Sequence, residues 1–144
     1  MHEISRADRR ASVILNYLSV AAIAVVVDMQ HVLGWGTTLV VLAVCAATAL
    51  GLATFLRVFW RTSLWKMTHA GFGHLDERQV QVVYESLRNS YSIFAIVCLA
   101  ILYLNAVVAE GSIPILVAAA VLYLAHTLPA AVVAWTEKEI LTCD

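Results

Sequence analysis

Four long apolar runs, at about 12–33, 37–56, 92–109 and 113–135, constrain this chain more than any other feature. Each is near the ~20 residues that a helix needs to cross a hydrocarbon core of ~30 Å. A helix is the form such a segment takes in lipid, because its backbone N–H and C=O groups are then satisfied within the segment. Composition agrees: 62% of the residues are hydrophobic and 13% charged, whereas soluble domains sit nearer a half and a quarter. The expected fold is all-α. It is a single membrane domain over 1–144, an integral membrane four-helix bundle with a cytoplasmic helical hairpin at about 57–90 that extends spans two and three.

The basic residues set the expected orientation. Arg6, Arg9 and Arg10 precede the first run, Arg57, Arg61, Lys66, Arg78 and Arg88 lie between the second and third, and Lys138 follows the fourth. The other two connections, Gly34–Gly36 and Glu110–Ser112, carry no Lys or Arg. By the positive-inside rule the N-terminus, the C-terminus and the long connection are cytoplasmic. Trp60 and Trp135 stand at inner span ends and Trp35 at an outer turn, where indoles favour the interface. Residues Met1–Arg10 read as a short polar lead to a retained first span, since Asp28-Met29-Gln30-His31 makes no signal-peptide cleavage site.

The long connection carries its own start and stop signals. Asp76 is a suitable N-cap, Gln79 can reach back to the Asp76 N–H, and Leu75 and Val80 stand at the staple positions. Val80, Val83, Tyr84, Leu87, Tyr91 and Phe94 then recur at helical spacing, with Arg78, Gln81, Glu85 and Arg88 on another face. No charge interrupts Ile93 to Ala109, so an amphipathic helix runs directly into span three. After Arg57 the spacing of Trp60, Leu64 and Met67 predicts that span two also continues, to about His69, before Gly71-Phe72-Gly73 stops it.

Polar residues inside the spans are few. Asn16 and Ser19 lie shallow on the inner side of span one. Asp28 and His31 share a face near its outer end, where they mark either a functional pair or the wet end of the helix. Ala43, Ala47 and Gly51 form a small-residue stripe on span two, suited to close helix packing within the chain or with a second copy. Asn105 falls in the outer third of span three. His126 falls about 13 Å from Trp135 along span four, near the bilayer middle and just before Pro129. It reads as a polar plug held by hydrogen bonds beside a proline kink, or as a proton- or metal-handling side chain. His69, His74, Asp76 and Glu77 match no zinc signature and read as a structural loop. Cys45, Cys98 and Cys143 form no CxxC, and the first two read as small buried hydrophobes.

The stretch His74-Leu75-Asp76-Glu77-Arg78-Gln79, with Tyr91-Ser92-Ile93-Phe94 entering a span, resembles small bacterial multi-span membrane proteins of uncharacterised function. In these an LDER-type sequence precedes a membrane helix. The resemblance covers about a third of the chain. It implies a compact helical protein of the bacterial inner membrane and supplies no activity and no site residues.

Three classes of function fit this pattern. The preferred one is a non-enzymatic scaffold or accessory subunit, whose partners are the lipid bilayer and either a second copy or another membrane protein. It would act through the span-two stripe and the hairpin. The alternative is a small transporter or channel for protons or metal ions, using Asp28, His31, Asn105 and His126. A membrane enzyme or haem protein ranks last, because no nucleophile–base pair or Gly-rich phosphate loop is found and His31 and His126 differ in depth. No catalytic residue, cofactor, bound metal or nucleic-acid partner is expected.

Overall fold

Ser5 starts the first helix earlier than a polar lead of ten residues would allow. In the computed structural model, which describes residues 5–70, 75–108 and 113–137, Ser5 Oγ accepts the Asp8 N–H at 3.2 Å and caps α1 (Arg6–Leu33). The helix therefore includes the three N-terminal arginines. It ends at Gly34, whose φ of +62° is the left-handed value that glycine adopts without a Cβ penalty. The glycine turn at 71–73, His74, Glu110–Ser112, Lys138, Cys143 and the side chain of His31 lie outside the described residues.

The second span is α2 (Thr37–Phe55), and here the expected continuation to His69 is corrected. The backbone widens into a π-helical turn over Leu56–Trp60, with the Arg61 N–H reaching the Leu56 carbonyl at 3.0 Å. Ser63 then takes φ +58°, and a new short helix, α3 (Leu64–His69), begins. A straight helix would place Trp65 about 15 Å from Phe55, yet their ring centroids are 5.3 Å apart. So α3 folds back over the end of α2. Trp60 stays exposed while Leu64 and Met67 are buried, which shows that the three never shared one helical face.

The third span is α4 (Glu77–Val108), one helix about 48 Å long, and the fourth is α5 (Ile115–Thr136), continuous through Pro129. Among the described residues, four helices are long and apolar enough to cross a membrane. They pack as a row: α1 lies against α2 and α5, and α5 against α4. In the most apolar stretch of α4 only 6% of residues are buried, and in α2 11%, against 28% in α1 and α5. The outer helices of the row are thus the least enclosed.

The apolar core sits at one end, where the arginine-bearing start of α1, the π turn, α3, the start of α4 and the end of α5 meet. Val13, Val58, Phe59, Leu64, Met67, Val83, Ala130, Ala131, Val133 and Ala134 build it, with Leu75 and Trp65 against it. Physical chemistry favours that location. Lipid tails are as apolar as leucine, so apolar burial between spans gains little, whereas apolar surface withdrawn from water is stabilised by ~25 cal/mol per Å².

The inward face of α4 also differs from the apolar recurrence in its sequence. Gln79, Val83, Ser86 and Ser90 are buried, while Tyr84, Leu87 and Tyr91 are exposed. At the helix start, Gln79 Oε1 accepts the Asp76 N–H at 3.1 Å, and Asp76 Oδ1 accepts the Glu77 N–H at 2.7 Å. A standard N-cap side chain would take the N2 or N3 donor instead.

Candidate functional site

The spans are joined by a small set of buried polar side chains. Asn16 on α1 is only 1% exposed. Its Nδ2 donates to the Gly51 carbonyl at 2.9 Å and to Thr54 Oγ1 at 3.2 Å, both on α2. Its Oδ1 accepts the Tyr123 hydroxyl from α5 at 2.8 Å. One amide thus links three helices and uses three of its four bonding positions. One turn away, the Tyr17 and Thr127 hydroxyls meet at 3.1 Å, and Thr127 Oγ1 donates to the Tyr123 carbonyl at 2.9 Å. Ser19 Oγ donates to the Asn16 carbonyl at 2.7 Å. A Cβ on Gly51 would come within 2.7 Å of Ser19 Oγ, so the glycine is what lets α1 and α2 approach.

The arginines read from sequence as topology signals also close the end of α5. Arg6 Nη2 donates to the Thr136 carbonyl at 3.1 Å. Arg9 Nη2 donates to the Glu137 carbonyl at 3.0 Å. Arg10 donates through Nε and Nη2 to the Trp135 carbonyl at 3.2 and 3.0 Å, and its guanidinium lies 4.8 Å from the Trp135 ring centre. A helix C-terminus presents unpaired carbonyls and partial negative charge, and guanidinium groups answer both.

A third cluster joins α3 to α5. The Trp65 ring stacks on His69 at 4.0 Å and meets His126 edge-on at 5.2 Å, and the two imidazole centroids are 4.9 Å apart. His69 Nδ1 lies 3.0 Å from the Trp65 carbonyl and 3.2 Å from Thr68 Oγ1.

Of the four polar candidates expected from sequence, the side chain of His31 lies outside those described, and Asp28, Asn105 and His126 lie on three separate helices, α1, α4 and α5. Asp28 is exposed near the far end of α1, and Asn105 Nδ2 donates to the Ile101 carbonyl of its own helix at 2.9 Å. His126 is corrected in character. It is exposed and touched by aromatic rings, and the buried polar plug beside Pro129 is Thr127. α5 runs continuously through Pro129, and Thr127, two residues before it, bonds within α5 and across to α1. In the small-residue stripe Gly51 packs on α1, while Ala43 and Ala47 are half-buried. Cys45 is exposed and Cys98 half-buried, so neither is the core residue expected, because the packed face of α2 runs through Val40, Gly51 and Thr54.

The sequence marks Asn16 only as a shallow polar residue and gives Tyr17 and Thr54 no site signal of their own. One signal was present. Arg9, Ser12, Asn16 and Ser19 are spaced by three and four, and all are buried on one face of α1. Among the described residues no group of three or more His, Cys, Asp or Glu side chains is placed to hold a metal ion. No protein-family model, curated protein or solved structure matches this chain.

Proposed function

We propose that this chain is a non-enzymatic integral membrane protein that works by helix association, and that the surface it offers is the first half of α4. The supporting observation is an uncovered apolar seam. Tyr84, Leu87 and Tyr91 are 65%, 41% and 76% exposed. With Val80 and Phe94 they follow a strict three–four spacing, the a/d pattern of a coiled coil. Tyr84 lies about 12 Å before Ser92 along the helix, beyond the hydrocarbon and about the depth of the headgroup layer. Lipid tails do not cover it there.

The occupant that fits is the α4 of a second copy. Two copies inserted in the same sense present parallel seams about a two-fold axis along the membrane normal, the commonest symmetry of homo-oligomers. Gly51 is engaged with α1 of its own chain, so the association surface moves from α2 to α4. In this reading the four helices form one unit, with α3 and the start of α4 as its hairpin. The arginine-rich end and both termini face the cytoplasm of a bacterial inner membrane, as the charge distribution and the LDER-type stretch imply.

Single cysteines at positions 84, 87 and 85 in an otherwise cysteine-free chain test it in native membranes. Oxidation should give disulfide dimers at 84 and 87 and none at 85, and Leu87→Lys should return the protein to monomer mass in nanodiscs. A wild-type monomer with no crosslink at 84 or 87 would refute the seam. Labelling of position 35 from the cytoplasmic side alone would refute the orientation.

A further inference from the structure

We propose that His69 and His126 form a binding site for a divalent transition-metal ion of the imidazole-preferring class, with Zn²⁺ as its probe, bridging α3 to α5. The two rings come from separate helices and stand 4.9 Å apart between centroids, with planes inclined by 57°. With a metal–nitrogen bond of about 2.0–2.1 Å, each centroid lies about 3.2 Å from a shared ion. A separation of 4.9 Å then corresponds to a nitrogen–metal–nitrogen angle of about 100°, near the tetrahedral value that zinc prefers.

The surroundings of His69 strengthen the assignment. Its Nδ1 sits 3.0 Å from the Trp65 carbonyl, and a carbonyl accepts only from an N–H. A proton on Nδ1 satisfies that contact and leaves the lone pair on Nε2. Metal-binding histidines are commonly oriented this way, one ring N–H held by a carbonyl while the other nitrogen ligates. His126 makes ring contacts with Trp65 and His69 and, among the described residues, no hydrogen bond, so both its nitrogens are uncommitted. Trp65 fixes the pair by stacking on one ring and abutting the other.

The donor set selects the ion. Two imidazoles without a carboxylate suit Zn²⁺, Cu²⁺ or Ni²⁺ and not Mg²⁺ or Ca²⁺, which require oxygen ligands. Two protein ligands leave the other positions to water or to a donor from a partner. The π turn and the left-handed Ser63 are what carry His69 back to the level of His126. A straight continuation of α2 would hold it about 20 Å beyond Phe55.

The test is zinc titration of the full-length chain in detergent against a chromophoric chelator, with the three cysteines replaced by serine. The expected result is one Zn²⁺ per chain, with His69→Gln and His126→Gln each weakening binding beyond the roughly 10–100-fold typical of losing a second-shell partner. His31→Gln should leave affinity unchanged. Co²⁺ should give a ligand-field absorption band that either substitution removes. Because His126 is exposed, His126→Gln should keep the wild-type melting temperature without metal, which separates loss of a ligand from loss of fold. Equal zinc affinity in wild type and His126→Gln, or no stoichiometric binding in wild type, would overturn the site.

Discussion

Replacing Asn16 by leucine should cost about 2 kcal/mol of stability, and the structure says where that cost arises. The substitution removes the bonds to the Gly51 carbonyl, Thr54 Oγ1 and the Tyr123 hydroxyl, at 2.9, 3.2 and 2.8 Å. Interhelical side-chain bonds in membranes average about 0.6 kcal/mol and reach about 1.7, so three together contribute about 2 kcal/mol. The losses are unequal. Thr54 Oγ1 still bonds to the Leu50 carbonyl at 2.8 Å, and the Gly51 carbonyl keeps its place in the α2 ladder. The Tyr123 hydroxyl loses its acceptor outright. A double-mutant cycle of Asn16→Leu with Tyr123→Phe isolates that bond, with unfolding free energies measured in bicelles by steric trapping. The coupling should lie between about 0.6 and 1.7 kcal/mol. Additivity within about 0.3 kcal/mol, the agreement found for independent sites, would show that the bond contributes nothing and refute the view of Asn16 as a three-helix junction.

Gly51→Leu should overpack the α1–α2 contact and cost about 1–3 kcal/mol. The milder Gly51→Ala should be relieved by Ser19→Gly, and the same thermal melts in detergent read both. Arg6→Gln with Arg10→Gln should fray the last turn of α5 by about 1 kcal/mol, seen as roughly fivefold faster amide exchange over Val133–Thr136 with α2 unchanged. Because Gln79 holds the Asp76 N–H, Gln79→Ala should deprotect the first turn of α4 at least as much as Asp76→Ala, whose expected cost is ~1 kcal/mol. Unchanged exchange in Gln79→Ala would dismiss that contact.

Helix number and length were legible in the sequence because bilayer thickness and backbone satisfaction leave few alternatives for a long apolar run. The long α4 was equally legible, since no glycine or proline interrupts 77–108. What misled was the rule that apolar periodicity marks the inward face. It holds where water is the solvent. In α4 the small Ser86 and Ser90 face in, while the outward Tyr84, Leu87 and Tyr91 are the seam proposed for a second copy. In α1 the buried line is Arg9, Ser12, Asn16 and Ser19. Where lipid is the solvent, close packing and hydrogen bonds hold helices together, and small or polar residues serve both. The break after Phe55 was hidden for another reason. Leu56–Trp60 contains no proline or glycine, and Ser63 is an uncommon residue for a positive φ, so the cause lies in tertiary contacts.

Those contacts explain why the break occurs where it does. Val58, Phe59, Leu64 and Met67 are almost fully buried only because the chain turns at 61–63. A straight extension would leave much of that apolar surface in water or headgroups. Burying a large apolar side chain is worth about 1.5–3 kcal/mol, whereas one strained backbone position costs about 1–3 kcal/mol. Four buried side chains therefore outweigh one left-handed serine, even after α3 gives up several helical hydrogen bonds. The same turn sets Trp65 and His69 against His126. Ser63→Gly, which admits φ +58° without a Cβ, should then keep or raise stability by up to about 1 kcal/mol. Ser63→Val should open the α3–α5 contact and quench neither His69 nor His126 chemistry directly. Loss of zinc binding in Ser63→Val with retention in Ser63→Gly would tie the ligand pair to the turn. Identical behaviour of the two variants would show that α3 is held by its side chains alone.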